Sequence, residues 1–182
     1  MYQPAITGHG VFTPTETISN DELVVAFNAY AERWNAANAD EIAAGTLQAI
    51  GPSSSDFIFS ASGIERRYVM NKSGVLDPDR MYPDLPARSD TQPSIMAEMA
   101  LDACQKALAM AGLDGTDIDL VICAASNHER AYPAVAIEIQ DLLGAGGFAF
   151  DMNVACSSAT FGIQAAADMV RSGSVRRALV VN

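Results

Sequence analysis

From residue 95 onward the apolar pattern switches repeatedly between a helical and an extended period, and this alternation restricts the chain to a layered α/β fold. Met96, Met99, Ala100, Ala103, Ala107 and Met110 recur along one face of a helix that Gly112 closes. Asp119 then leads into Leu120-Val121-Ile122-Cys123-Ala124-Ala125, a continuous apolar run, which is how a strand covered on both faces reads. Pro133 opens the next helix, where Ala136, Ile139 and Leu143 share a side before Gly144 ends it. A strand over 148–154, a small-residue helix running to Arg171 and the apolar Arg177-Ala178-Leu179-Val180-Val181-Asn182 complete the rhythm. Parallel strands need crossover connections of helix length, so this spacing predicts a largely parallel sheet.

The residues before 95 are less regular. Ala5-Ile6-Thr7-Gly8-His9-Gly10-Val11-Phe12 is predicted as a first strand ending in glycine turns. Ser19 and Glu22 form a capping box, and Leu23, Phe27, Tyr30 and Trp34 follow at helical spacing. A second helix is predicted over 40–50, stopped by Gly51-Pro52. Residues 71–93 carry Pro78, Pro83, Pro86 and Pro93 and read as loop. The final apolar strand has no turn or polar tail behind it, and an unpaired edge needs a neighbour, so the chain is expected to be a portion of something longer.

Composition narrows the function. Acidic residues outnumber basic ones 22 to 11, a formal charge of −11, which argues against a nucleic-acid partner. Charges and turn residues break every apolar run well short of the ~20 residues of a membrane span. Met1-Tyr2-Gln3-Pro4 lacks a basic region followed by an apolar one, so no signal peptide is expected. Cys104, Cys123 and Cys156 are too few and scattered for a disulfide framework, and a cytoplasmic location is expected.

The most informative stretch is Asp151-Met152-Asn153-Val154-Ala155-Cys156-Ser157-Ser158-Ala159-Thr160-Phe161-Gly162. A strand delivers one cysteine to the start of a helix, where amide N–H groups and the positive end of the dipole favour thiolate, the attacking form. Cys156 is therefore the candidate nucleophile, with inert core packing as the competing reading. Cys104 and Cys123 lie on core-like elements and are assigned to packing. Of the two histidines, His9 reads as a turn residue and His128 as a solvated loop residue, and Cys and His show no metal-ligand spacing. Gly8-x-Gly10 lacks the third glycine of a dinucleotide-binding turn. Arg66 and Arg67 are expected to be structural.

Five motifs carry a resemblance. They are Ser62-Gly63-Ile64-Glu65-Arg66-Arg67-Tyr68, Ala107 with Met110-Ala111-Gly112, Arg130-Ala131-Tyr132-Pro133-Ala134, the Asp151–Gly162 stretch, and Ser172-Gly173 with Ala178-Leu179-Val180-Val181. In this order and spacing they resemble the N-terminal half of the β-ketoacyl-acyl-carrier-protein synthase III family, thiolase-fold condensing enzymes. The resemblance implies residues 1–182 as a thiolase-like half-domain, a mixed, mostly parallel sheet between helices, with an insertion near 30–53 and a loop near 71–93. The C-terminal half, with the family's catalytic histidine and asparagine, would be absent, so the chain alone is expected not to condense.

The resemblance implies that Cys156 accepts an acyl group from acyl-CoA, which is a substrate and not a cofactor. Malonyl-acyl-carrier-protein then loses carbon dioxide and attacks the thioester, initiating fatty-acid synthesis in a homodimer without nucleic-acid or membrane partners. Tyr132 matches the aromatic residue that reaches into the partner subunit's acyl pocket. Phe57 falls where a tryptophan often stacks on the CoA adenine, and Ala61 where a CoA-contacting arginine is common. The Asn153–Thr160 wording resembles synthases primed by medium-chain, octanoyl-sized acyl-CoA. Other thiolase-fold condensations (HMG-CoA synthase-like, polyketide starter, head-to-head) and a non-catalytic partner subunit remain open.

Overall fold

Backbone pairing divides the chain between two sheets that lie in two separate units, residues 13–87 and residues 88–182 joined by the N-terminal residues up to Phe12. The computed structural model describes residues 3–89 and 91–182; the expectation drawn from Met1 and Tyr2, and Asp90 within the predicted loop, lie outside the described residues.

In the unit 13–87, β1 (Glu16–Ser19) pairs antiparallel with β2 (Arg66–Val69), Ser19 facing Arg66. Helix α1 (Asn20–Ala37) begins at the expected capping box: Glu22 N–H donates to Ser19 Oγ at 3.3 Å and Ser19 N–H to Glu22 Oε2 at 3.0 Å. Hydrogen bonding to the Lys72 ammonium, then to the Ser19 backbone, lowers the Glu22 carboxyl to about 2. Buried Asn20 donates to the Ile64 carbonyl at 2.7 Å and accepts from Arg67 at 2.9 Å, so Arg67 is structural as expected.

The predicted 40–50 helix is shorter, α2 (Ala39–Ala43). Side-chain amides of α1 explain the difference. Asn35 exchanges two 2.9 Å hydrogen bonds with the Ile50 backbone, and Asn28 bonds the Ser53 N–H and carbonyl at 2.8 and 3.1 Å. These mimic strand pairing and hold the segment extended along α1. Helix α3 (Ser55–Ser62) follows, and a short α4 (Lys72–Leu76) lies inside the predicted loop, started by Asn71 accepting from Gly74 N–H at 2.8 Å.

The other unit contains α5 (Ile95–Ala111), β3 (Leu120–Ala124), α6 (Val135–Leu143), β4 (Phe148–Met152), α7 (Ser158–Ser172) and β5 (Ala178–Val181). Its three strands are all parallel in the order β4-β3-β5. The antiparallel pairing expected of a mixed sheet is confined to β1 and β2. Every residue of β3 is buried, and its two faces feed two cores. Val121 and Cys123 pack with Ala100, Cys104 and Leu108 of α5 and Ile139 of α6, while Leu120, Ile122 and Ala124 pack with Ala166 of α7 and Val175. Full burial of each large β3 side chain contributes roughly 1.5–3 kcal/mol. Helices on both faces of a parallel sheet are the expected layers.

Residues 5–12 correct a prediction, because they form no strand ladder. Gly8 and Gly10 have ordinary backbone torsions and instead allow close approach to α5. A Cβ at either would lie 2.1 Å from a helix carbonyl, that of Ala107 or Ala103. The Lys106 ammonium donates to the Val11 carbonyl at 3.0 Å, adding a second tie.

Candidate active site

Strands β3 and β4 end level with each other, Ala124 opposite Met152, so the segments that follow them leave the same end of the sheet. In open α/β sheets ligands collect beyond these carboxyl ends. The segment after β4 carries Cys156 and the segment after β3 carries His128 and Tyr132. Two hydrogen bonds join them: Ala125 N–H to the Met152 carbonyl at 3.1 Å and Asn153 Nδ2 to the Ser126 carbonyl at 3.0 Å.

Cys156 is exposed and stands two residues ahead of α7, in the turn and not in the helix. Ser157, the cap of α7, makes no side-chain capping bond, so it does not cover the positive end of the helix. The turn itself is tight. Ser157 N–H donates to the Val154 carbonyl at 3.1 Å, and Ala155 takes φ +48°, in the left-handed region that non-glycine residues rarely enter.

The other two cysteines differ in kind. Both are buried, and burial pushes each thiol up to about 12, helped for Cys104 by Cys123 and for Cys123 by the Asp151 charge. Their assignment to packing agrees with this placement.

His128 corrects an expectation, since its side chain is only 14 % exposed and turned inward. Its Nε2 lies 3.3 Å from the Cys123 carbonyl and 3.8 Å from the Asp151 carboxylate. Asp151 in turn accepts from the Val135 and Ala136 N–H groups at 2.9 and 2.8 Å, filling the donors at the start of α6. Among the described residues, Cys123, His128 and Asp151 are the set with metal-ligand chemistry, their donor atoms within 4.8 Å of one another. Asp151, accepting through both oxygens, ties the end of β4 to the start of α6.

Tyr132 is 91 % exposed, yet the segment carrying it is pinned. Glu129 accepts from the Met96 N–H at the start of α5 at 3.0 Å, and Arg130 pairs with Glu138 of α6 at 3.3 Å. Glu138 also receives the buried Ser94 hydroxyl at 2.6 Å. An aromatic ring held out from a fixed segment offers a contact face at low entropic cost. Phe57 lies in the other unit, 65 % exposed on α3, and Ala61 is exposed one turn later. Asn153, Asp151 and Ser158 join the candidates only through these contacts; their signal in the sequence is a polar residue at a strand end or helix start amid small neighbours.

Comparison with known proteins decides the family. The model of 3-oxoacyl-[acyl-carrier-protein] synthase III matches residues 150–182. A β-ketodecanoyl-[acyl-carrier-protein] synthase of Pseudomonas aeruginosa is 54 % identical over 157 residues, 86 % of this chain and 45 % of that protein. The chain belongs to the β-ketoacyl-acyl-carrier-protein synthase III family. A synthase III of Granulibacter bethesdensis is 30 % identical over all 182 residues, 43 % of its own length. The chain thus spans less than half the length of these curated relatives. The crystal structure of a synthase III from Pseudomonas aeruginosa superposes on 98 % of the chain and 41 % of its own, with TM-score 0.67 at 23 % identity, and shows the same thiolase-type fold. Within the synthase III family, the residues the family model matches run from the end of β4 through α7 to β5, the elements on either side of Cys156.

Proposed function

We propose that this protein is a condensing acyltransferase in which Cys156 takes an acyl group from acyl-CoA. The cysteine sulfur bonds the acyl carbon, the bond to the CoA sulfur breaks, and the thiol proton leaves with CoA. Malonyl-acyl-carrier-protein then loses carbon dioxide, its carbanion attacks the new thioester, and Cys156 is released with a β-ketoacyl-carrier-protein as product. The observation that carries this reading is the contrast among the cysteines: one is exposed in a tight turn at the ligand-binding end of a parallel sheet, and two are buried.

The likeness to a β-ketodecanoyl synthase supports an octanoyl-sized primer, since two carbons are added per condensation. The pinned, outward Tyr132 supports a contact with the partner subunit of a homodimer, where it would border the acyl pocket. Phe57 presents a ring face on which an adenine could stack. No helix among the described residues is long and apolar enough to cross a membrane, in keeping with fatty-acid initiation in the cytoplasm. The test uses the full protein with octanoyl-CoA and malonyl-carrier-protein, following β-ketodecanoyl-carrier-protein by mass spectrometry. Product is expected from the wild type and not from Cys156→Ser; equal product from both would overturn the proposal.

A further inference from the structure

The turn that presents Cys156 is clamped by two polar side chains, Ser158 from the helix side and Asn153 from the strand side. Ser158 is only 3 % exposed although it opens α7. Its hydroxyl accepts from the Val154 N–H at 2.8 Å and donates to the Ala155 carbonyl at 2.8 Å. That carbonyl belongs to the peptide plane that ends at the Cys156 Cα, so fixing it fixes where the cysteine's side chain starts. From the other side, Asn153 Oδ1 accepts from the Ala155 N–H at 3.0 Å, while its Nδ2 holds the Ser126 carbonyl at 3.0 Å. Between the two clamps sits Ala155 at φ +48°, a conformation that alanine keeps only where its surroundings impose it.

We propose that Ser158 and Asn153 are positioning residues that set the direction in which the Cys156 sulfur leaves the turn. The inference rests on the reading of Cys156 as acyl acceptor. Thioester attack needs the sulfur aligned with the acyl carbon as the bond to the CoA sulfur breaks, and misplacement by about 1 Å can cost on the order of 100-fold. A small alkylating agent approaches an exposed thiol from any open direction and has no such requirement. Direction and intrinsic thiol reactivity therefore separate experimentally.

In the full protein, acyl loading from octanoyl-CoA is followed by CoA release, and Cys156 alkylation by iodoacetamide is followed by peptide mass spectrometry. For Ser158→Ala and Asn153→Ala the maximal loading rate should fall at least ~10-fold. The half-saturating acyl-CoA concentration should stay within about two-fold and Cys156 alkylation within about three-fold, since neither depends on attack alignment. Asn153→Asp keeps the acceptor for Ala155 and loses the donor to Ser126, so its rate should lie between wild type and Asn153→Ala. Wild-type loading in both alanine variants overturns the proposal, as does a parallel fall in loading and alkylation. Should Ser158→Ala unfold, visible as alkylation of Cys104 and Cys123, the exposed Asn153→Ala decides by the same criteria. A wild type that never loads, or loads equally as Cys156→Ala, sinks the acyl-acceptor reading instead.

Discussion

Cys156, Cys104 and Cys123 share one chemistry and differ only in surroundings, which makes them internal controls for each other. Cys104 and Cys123 sit in the core between α5, α6 and the sheet, with thiols raised to about 12 by burial. A thiol raised from its ordinary 9.0 favours the folded state below pH 9, and this contribution is lost as pH rises from 9 toward 12. At pH 8 the two should therefore remain protonated and inaccessible. Iodoacetamide is expected to label Cys156 at least ~100-fold faster than either. Comparable labelling of all three in the folded protein would contradict the placement of the cores. Tyr132 and Phe57 have the exposure that the proposed contacts require.

At the scale of elements, the seat of α7 on the sheet decides where the Cys156 turn stands. Gly162 makes that seat: a Cβ there would lie 2.8 Å from the Ala124 Cβ and 3.0 Å from the Val180 Cγ1. Gly162→Ala would recover up to about 1 kcal/mol of helix propensity against this crowding. Gly162→Val has less such offset and should lose about 2–3 kcal/mol to overpacking, a fall of roughly 2–4 °C in melting temperature per kcal/mol. An unchanged melting temperature would mean that α7 is free to rise from the sheet. Helices and strands after residue 95 were legible because each carries a periodic apolar face or a continuous apolar run, and Gly112 and Gly144 end α5 and α6 in left-handed conformations as expected. The short α2 and the missing ladder at residues 5–12 were not legible. Their form depends on long-range ties, from Asn28 and Asn35 in one case and from the α5 backbone in the other. The inward turn of His128 was hidden for the same reason, because Asp151, its neighbour in space, is 23 positions further along the chain.

For the whole molecule, one buried strand organises the catalytic proposal. β3 supplies both cores, sets the level at which β4 ends, and so places the Cys156 and Tyr132 segments at one end of the sheet. The unit 13–87 carries Phe57 on α3 and is built on its own antiparallel pair. The fold, the strand-to-helix junction that carries Cys156 and the family were open to sequence reasoning because they reside in local motifs. The clamp before Cys156 was not, since it emerges only when Asn153 and Ser158 close on the same two residues, Val154 and Ala155. The central claim is that Cys156 carries the acyl group, and intact-protein mass spectrometry after exposure of the full protein to octanoyl-CoA tests it most directly. The account expects one octanoyl adduct, located on the Cys156 peptide and lost in Cys156→Ala; no adduct with acyl-CoA of any chain length, or one that survives that substitution, would contradict it.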